Sequence, residues 1–265
     1  MNELVFVGLG LNDDKGITLR GLEETKTADN IFMESYTSLM PEFNLERFKT
    51  LIGKEICLIE RQTLEEENGK KILQAAKVGK AVFLVPGDPF IATTHITLRI
   101  EAKKQGIETR IIHGISITSS IVSLSGLHNY KFGKTVTVPF EENYSETPYN
   151  VIAQNKNLGL HTLCLLDIKA TQKEYLTINQ AIKILRKIEE TKKRNVLTHE
   201  TVALGIARVG SYKPTLKADF FEALTNFDFG EPPHSLIILG TLHFMEIEAL
   251  ISFAGAPKKF KELAK

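Results

Sequence analysis

Short apolar runs alternate with segments of helical period through the first 113 residues, and no other feature restricts the fold so strongly. ELVFVG (3–8), NIFME (30–34), EICLIE (55–60), AVFLV (81–85) and IETRIIH (107–113) have strand length. Between them lie ITLRGLEETKTA (17–28), NLERFKTLI (44–52), TLEEENGKKILQAAKV (63–78) and a segment over 94–104. Asn44 and Gly53 read as the N-cap and stop of the second segment, and the third reads as one uninterrupted helix. Such alternation predicts an α/β fold, with right-handed crossovers making a mostly parallel sheet covered on both faces.

The alternation loosens near Gly114, so two α/β domains are expected, 1–113 and 114–265. In the second, KTVTVPF, HTLCLLDI, TVALGIARVG and SLIILG read as strands. TINQAIKILRKIEETKK is its best helix, with Thr177 and Gln180 as a capping-box pair and Ile178, Ala181, Ile182, Leu185 and Ile188 along one face. That stripe is core rather than a cofactor box. HFMEIEALISFAG reads as a closing helix, and disorder is expected only in the C-terminal KKFKELAK.

Composition narrows the function classes. Thirty-three basic and thirty-two acidic residues leave a formal charge of +1, which gives no general field for nucleic acid or anionic lipid. No apolar run approaches the ~18 residues of a membrane span, and the first one lacks a basic flank, so no membrane partner and no processing are expected. Cys57 and Cys164 lie in apolar runs without CxxC spacing; both are expected buried, which points to a reducing, cytoplasmic compartment. His95, His113, His128 and His234 form no HExxH or other close ligand pattern, so no metal is expected. Ser116, Ser119 and Ser120 lie in no GxSxG elbow.

In open parallel sheets ligands lie beyond the carboxyl ends of the strands, which directs attention to the residues just after each strand. GLGL (8–11) invites a dinucleotide fold, but the third glycine of GxGxxG would fall on Asp13, and Asp13 and Asp14 beside a pyrophosphate would repel it. Gly10 is expected where backbone and ligand meet, so that a larger side chain blocks binding and spares the fold; glycines serving only a tight turn explain the motif equally well. In PGDP (86–89), Pro86 ends the strand and Pro89 biases Asp88 toward extended backbone. Asp88 is either an Asx-turn or helix-cap residue, or an acceptor for a cationic or hydroxylated ligand. His234, fixed by two preceding prolines, is either a satisfied edge histidine or a pocket-lining group.

Read together, VGLGLNDDKGITLRGLE, ESYTSLM, VPGDPFIATTH, HGISI, YKFGKTVTV, HTLCLLDIKA, GIARVGS and FGEPPHSLIILG resemble the diphthine synthase family of the tetrapyrrole methylase superfamily over nearly the whole chain. GxG with PGDP indicates only the superfamily; ATTH, YKFGK, LLDIK and GEPPHSLII in this order are more specific. The resemblance implies two α/β domains, the second with a mixed sheet, and S-adenosylmethionine bound in the cleft between them and released as S-adenosylhomocysteine. It implies successive N-methylation of a 3-amino-3-carboxypropyl-histidine on elongation factor 2, by a homodimer.

Matched motif to motif, the cofactor contacts fall on Leu11, Asp88, Ile91, Ser116 and Ile117, then on Leu166, Val209 and His234. Asp88 is expected to face the cofactor's cationic end. GLGLN stands where many superfamily members have GxGPG, and Val209 is expected to offer backbone contacts. LLDIKA runs directly into TQKEYLTINQA without a longer insertion, which favours an archaeal source and a trimethylated product. No proton acceptor for the amine is assigned; Glu34, Tyr36, Thr93, Thr94 and His95 are candidates by position. The rival readings are a precorrin-type C-methyltransferase acting on a tetrapyrrole, which leaves YKFGK and LLDIK unexplained, and a non-catalytic S-adenosylmethionine-binding module.

Overall fold

The computed structural model describes residues 2–169 and 172–264. The chain divides into two compact units, Met1–Ile117 and Thr118–Lys265.

In the first unit, β1 (Glu3–Gly8), β2 (Asn30–Glu34), β3 (Cys57–Ile59), β4 (Lys80–Val85) and β5 (Glu108–Ile112) form a parallel sheet in the order β3-β2-β4-β1-β5. The helices are α1 (Leu19–Lys26), α2 (Leu45–Ile52), α3 (Arg61–Glu65), α4 (Lys70–Val78) and α5 (Ile96–Lys104). Successive strand residues point to opposite faces, and both faces are apolar. Leu4, Phe6, Ala81 and Phe83 pack with Ile72, Leu73 and Ala76 of α4 and Leu98 and Ala102 of α5. Val5, Val7, Val82 and Leu84 pack with Phe48 and Ile52 of α2 and Leu22 of α1. Each buried Val, Leu, Ile or Phe among them contributes roughly 1.5–3 kcal/mol, which is why β1 and β4 form the centre of the sheet.

Local signals set the helix ends. Thr18 Oγ1 accepts the Gly21 amide at 3.0 Å, Asn44 Oδ1 accepts the Arg47 amide at 2.8 Å, and Gly53 closes α2 at φ +71°. The helix expected over 63–78 is instead two. Asn68 and Gly69 both take the left-handed conformation, at φ +51° and +64°, and Leu98 Cδ1 lies 2.5 Å from where a Gly69 Cβ would stand. An Asn-Gly pair turns this way readily, and the packing of Leu98 rewards the turn. Cys57 corrects a second expectation: it is only half-buried, because β3 is an edge strand, and Lys71 Nζ lies 3.0 Å from its sulfur. Cys164 is buried as expected, which pushes its thiol up to about 12.

The second unit contains α6 (Ile117–Ser125), β6 (Val136–Val138), α7 (Thr147–Asn157), β7 (Thr162–Leu166), β8 (Ile168–Lys169), β9 (Glu174–Tyr175), α8 (Ile178–Lys192), β10 (Val202–Ala207), β11 (Thr215–Phe220), β12 (His234–Ile238) and α9 (Phe244–Ala254). Its sheet runs β11-β10-β12-β7-β6 and is mixed, β6 and β7 being parallel and the other pairs antiparallel. The capping box of Thr177 and Gln180 is formed, and the apolar stripe of α8 is buried with Tyr149 and Ile152 of α7.

The C-terminal segment is ordered, contrary to expectation. A 3-10 helix over Lys258–Leu263 buries Phe260 edge-on against Phe220, ring centres 5.5 Å apart, and Lys259 lies over the Phe220 ring. One aromatic among four charged residues and a leucine anchors the segment through a partner distant in sequence. Ala170 and Thr171, where LLDIKA meets TQKE, lie outside the described residues, as does Lys265.

Candidate active site

The strand order places a switch point between β1 and β4. The chain leaves β1 toward β2 on one side of this pair and leaves β4 toward β5 on the other. Crevices of this kind are where open α/β sheets bind ligands. GLGL emerges from β1 here, PGDP from β4 and HGIS from β5.

Three glycines let these loops meet. A Cβ on Gly8 would stand 2.5 Å from both Gly114 N and Gly87 O, and one on Gly114 would stand 2.1 Å from Gly87 O. No side chain fits at either position. Gly10 exchanges two backbone hydrogen bonds with Gly87, at 3.3 and 2.7 Å. It takes φ +82°, and its Cβ would lie 2.8 Å from Gly16 O. The constraint at Gly10 is therefore internal to the loop, which corrects the expectation that a larger side chain would spare the fold.

The adjacent aspartates are also loop residues. Asp13 Oδ1 accepts the Lys15 amide at 3.0 Å. Asp14 is buried and paired with Arg47 of α2, whose Nε lies 3.0 Å from both carboxylate oxygens. That guanidinium lowers the Asp14 carboxyl from its ordinary value and neutralises its charge. Asp14 therefore presents no free charge to a ligand, contrary to the sequence argument.

Asp88 uses both oxygens. Oδ1 accepts the Phe90 amide at 3.2 Å, the Asx turn foreseen as one of two roles, and Oδ2 lies 2.8 Å from His113 Nδ1. Asp88 is 7% exposed, whereas the His113 side chain is 76% exposed. Nearby, Glu34 ends β2 fully buried and accepts the amides of Tyr36 at 2.8 Å and Thr37 at 3.0 Å, together with the Thr37 hydroxyl. Burial pushes its carboxyl above the usual carboxylate value. His95 Nδ1 and Thr93 Oγ1 donate to Pro89 O at 3.1 and 2.7 Å, which fixes the His95 tautomer. Thr94 O accepts from the Thr97 hydroxyl at 2.9 Å. Of the five candidate proton acceptors, Glu34, Thr93 and His95 are thus engaged in holding the loops. His113, weighed in the sequence only as a metal ligand, is drawn to this end of the sheet by its contact with Asp88; its only other signal in the sequence is its position between a strand end and Gly114.

Leu11, Asp88, Ile91 and Ser116 lie on these carboxyl-end loops of the first unit, and Ile117, its last residue, begins α6. Gly87 is bare at φ +70°, with Leu11 Cδ2 and Ile115 O nearest its Cβ position at 3.9 Å. In the second unit the registers Ala207 with His234 and Ser235 with Leu165 bring Leu166, Val209 and His234 to one end of the sheet. His234 Nδ1 accepts the Ile178 amide at 3.3 Å and Nε2 donates to Gly230 O at 3.0 Å. Burial lowers its pKa, and the ring stays neutral. Arg208, at φ +56°, donates to the carbonyls of Phe229 at 2.8 Å and Glu231 at 2.6 Å, tying ARVG to GEPPH.

YKFGK also acquires a physical role. Glu246, fully buried on α9, accepts from Lys131 Nζ, from His161 Nε2 at 3.0 Å, and from the amides of His128 at 2.9 Å and His243 at 2.8 Å. A hollow of about 740 Å3 lined by Asp29, Asn30, Lys54 and Cys57 lies at the amino ends of β2 and β3, at the opposite end of the sheet from the glycine loops. No helix among the described residues is long and apolar enough to cross a membrane.

The model of the family Tetrapyrrole (Corrin/Porphyrin) Methylases matches residues 3–204, which places this parallel sheet, with GxG, PGDP and HGIS loops at its switch point, in the tetrapyrrole methylase class. The chain is 44% identical over 266 residues to a diphthine synthase of Methanosarcina acetivorans, covering 98% of each, and 46% identical over 251 residues to one of Methanocaldococcus jannaschii, covering 93% of this chain and 97% of that one. A crystal structure of diphthine synthase superposes with TM-score 0.89 at 41% identity, over 98% of this chain and 99% of that one. The chain belongs to the diphthine synthase family, S-adenosylmethionine-dependent methyltransferases of diphthamide biosynthesis.

Proposed function

We propose that this protein methylates, in successive steps, the amino group of a 3-amino-3-carboxypropyl-histidine on elongation factor 2, to the trimethylated stage. The observation that carries the reading is 44% identity to a diphthine synthase over 98% of the chain, combined with the three-glycine junction at the switch point. The loops fit S-adenosylmethionine: Leu11, Ile91 and Ile115 offer apolar surface, Gly87 offers bare backbone, and Asp88 offers a carboxylate toward positive charge. Ser116 and Ile117 of the first unit, and Leu166, Val209 and His234 of the second, complete the proposed set of contacts. His234 contributes through its backbone or ring edge, since the fold uses both its ring nitrogens.

Bound S-adenosylmethionine supplies a methyl group on a cationic sulfur that departs as a neutral thioether. The protein's part is to align a neutral amine in line with that methyl and to exclude water. The reading places the enzyme in the cytoplasm of an archaeon, consistent with archaeal relatives. It includes a homodimer, for which the exposed Phe244, Met245 and Phe253 of α9 supply apolar surface.

The test is incubation with labelled S-adenosylmethionine and elongation factor 2 carrying the aminocarboxypropyl-histidine, with the label located by mass spectrometry. Label on that side-chain nitrogen is expected, and none on factor with an unmodified histidine, which lacks the amine. Equal labelling of unmodified factor would overturn the substrate assignment.

A further inference from the structure

Resting on that reading of amine methylation, we propose that His113 accepts the proton of the substrate amine and that Asp88 positions it. An alkylammonium has no lone pair at neutral pH, so a proton must leave before nitrogen can attack carbon. Each methyl transfer to an amine that still carries hydrogen yields another cation, so the need recurs at every step.

The geometry of His113 suits this task. Asp88 Oδ2 lies 2.8 Å from Nδ1, and an ionised carboxylate only accepts, so Nδ1 carries hydrogen and Nε2 holds the lone pair. The other oxygen of Asp88 is held by the Phe90 amide at 3.2 Å, which stops the carboxylate from rotating away. The backbone beside His113 is equally confined, since Gly114 is wedged against Gly8 and Gly87. The ring itself is 76% exposed at the carboxyl ends of β4 and β5, beside the switch point. An exposed side chain with a buried orienting carboxylate is an arrangement that packing alone does not require.

In the proposed step an N–H bond of the ammonium breaks and its electron pair stays on the amine. A new N–H bond forms at Nε2, the imidazole becomes imidazolium beside the Asp88 carboxylate, and the exposed ring returns the proton to water. Among the described residues the charged group in contact with the ring is Asp88. The loops packed beside it, 8–10 and 114–116, carry no ionisable side chain.

The experiment compares single-turnover methylation of modified elongation factor 2 by wild type, His113→Ala and His113→Gln as a function of pH, with melting midpoints to verify folding. Gln keeps a donor toward Asp88 should Ala fail to fold. The expected deficit is about 100-fold near pH 7, the usual scale for a lost general base, and it closes to within a few-fold near pH 9.5 as solvent deprotonates the amine. In cofactor-free protein, imidazole nitrogen shifts should report the Nδ1–H tautomer for His113, and Asp88→Asn should abolish that preference. A deficit equal at all pH values, no deficit, or an Nε2–H tautomer in wild type overturns the proposal. A wild-type enzyme that labels no modified histidine would instead defeat the underlying substrate reading, a result separable from any comparison of variants.

Discussion

Gly10 and Gly87 face each other across a two-hydrogen-bond bridge, Gly10 N to Gly87 O at 3.3 Å and Gly87 N to Gly10 O at 2.7 Å. The two loops at the switch point are therefore one unit, and a change in either is felt by both.

Gly10→Val should consequently lose stability and cofactor binding together. A β-branched residue at φ +82° is strained by roughly 1–3 kcal/mol, and its Cβ meets the Gly16 carbonyl, an obstacle that backbone cannot easily yield. Chemical denaturation should show a loss of roughly 2–4 kcal/mol. A variant with the wild-type midpoint and no affinity for S-adenosylmethionine would restore the view that Gly10 serves the ligand alone.

Acid should weaken the first unit through Glu24. Its oxygens lie 2.6 and 2.8 Å from Arg110 and one lies 2.6 Å from Lys80. The Arg110 hydrogen bonds act most strongly, with Lys80 assisting against burial, and bring the carboxyl from 4.5 to about 2. A depressed carboxylate stabilises the fold fully above its unfolded value and loses that contribution as pH falls through the folded one. The melting midpoint should therefore drop between about pH 4.5 and 2, and Glu24→Gln, about 1 kcal/mol less stable at pH 7, should show a shallower drop. Parallel curves for the two proteins would show that other carboxylates govern the acid limb.

Glu246→Ala should be far more damaging, by roughly 3–5 kcal/mol, because it strands Lys131 and His161 in a buried site. Burial acts to raise this carboxyl, yet hydrogen bonds from His161, the His243 amide, Lys131 and the His128 amide outweigh it and hold the group well below the usual range. Urea denaturation reads the change directly as a lowered midpoint at constant slope. A loss below 1 kcal/mol would mean that water replaces the missing carboxylate.

Much of this protein was determined by the sequence itself, because strand period, caps and glycine stops act within a few residues. Asn44, Gly53, and the Thr177 and Gln180 pair mark their helix ends where the sequence places them. The GxG, PGDP and HGIS motifs fall at strand ends by the same local logic; with ATTH, YKFGK, LLDIK and GEPPHSLII in order along the chain they are enough to place the family.

Tertiary structure decided what depends on partners distant along the chain. Leu98 against Gly69 splits a segment of continuous helical period in two, and the edge position of β3 half-exposes a cysteine set in an apolar run. Phe220 orders a lysine-rich tail through Phe260. Arg47 cancels the charge of Asp14 across 33 positions, and Lys131 meets Glu246 across 115. The pairing of Asp88 with His113 is of the same kind: 25 residues separate them, and only the adjacency of β4, β1 and β5 brings the carboxylate to the imidazole. Hydrogen bonds and close packing act over a few ångströms, so which groups they join is settled by strand order, a property no single stretch of sequence carries.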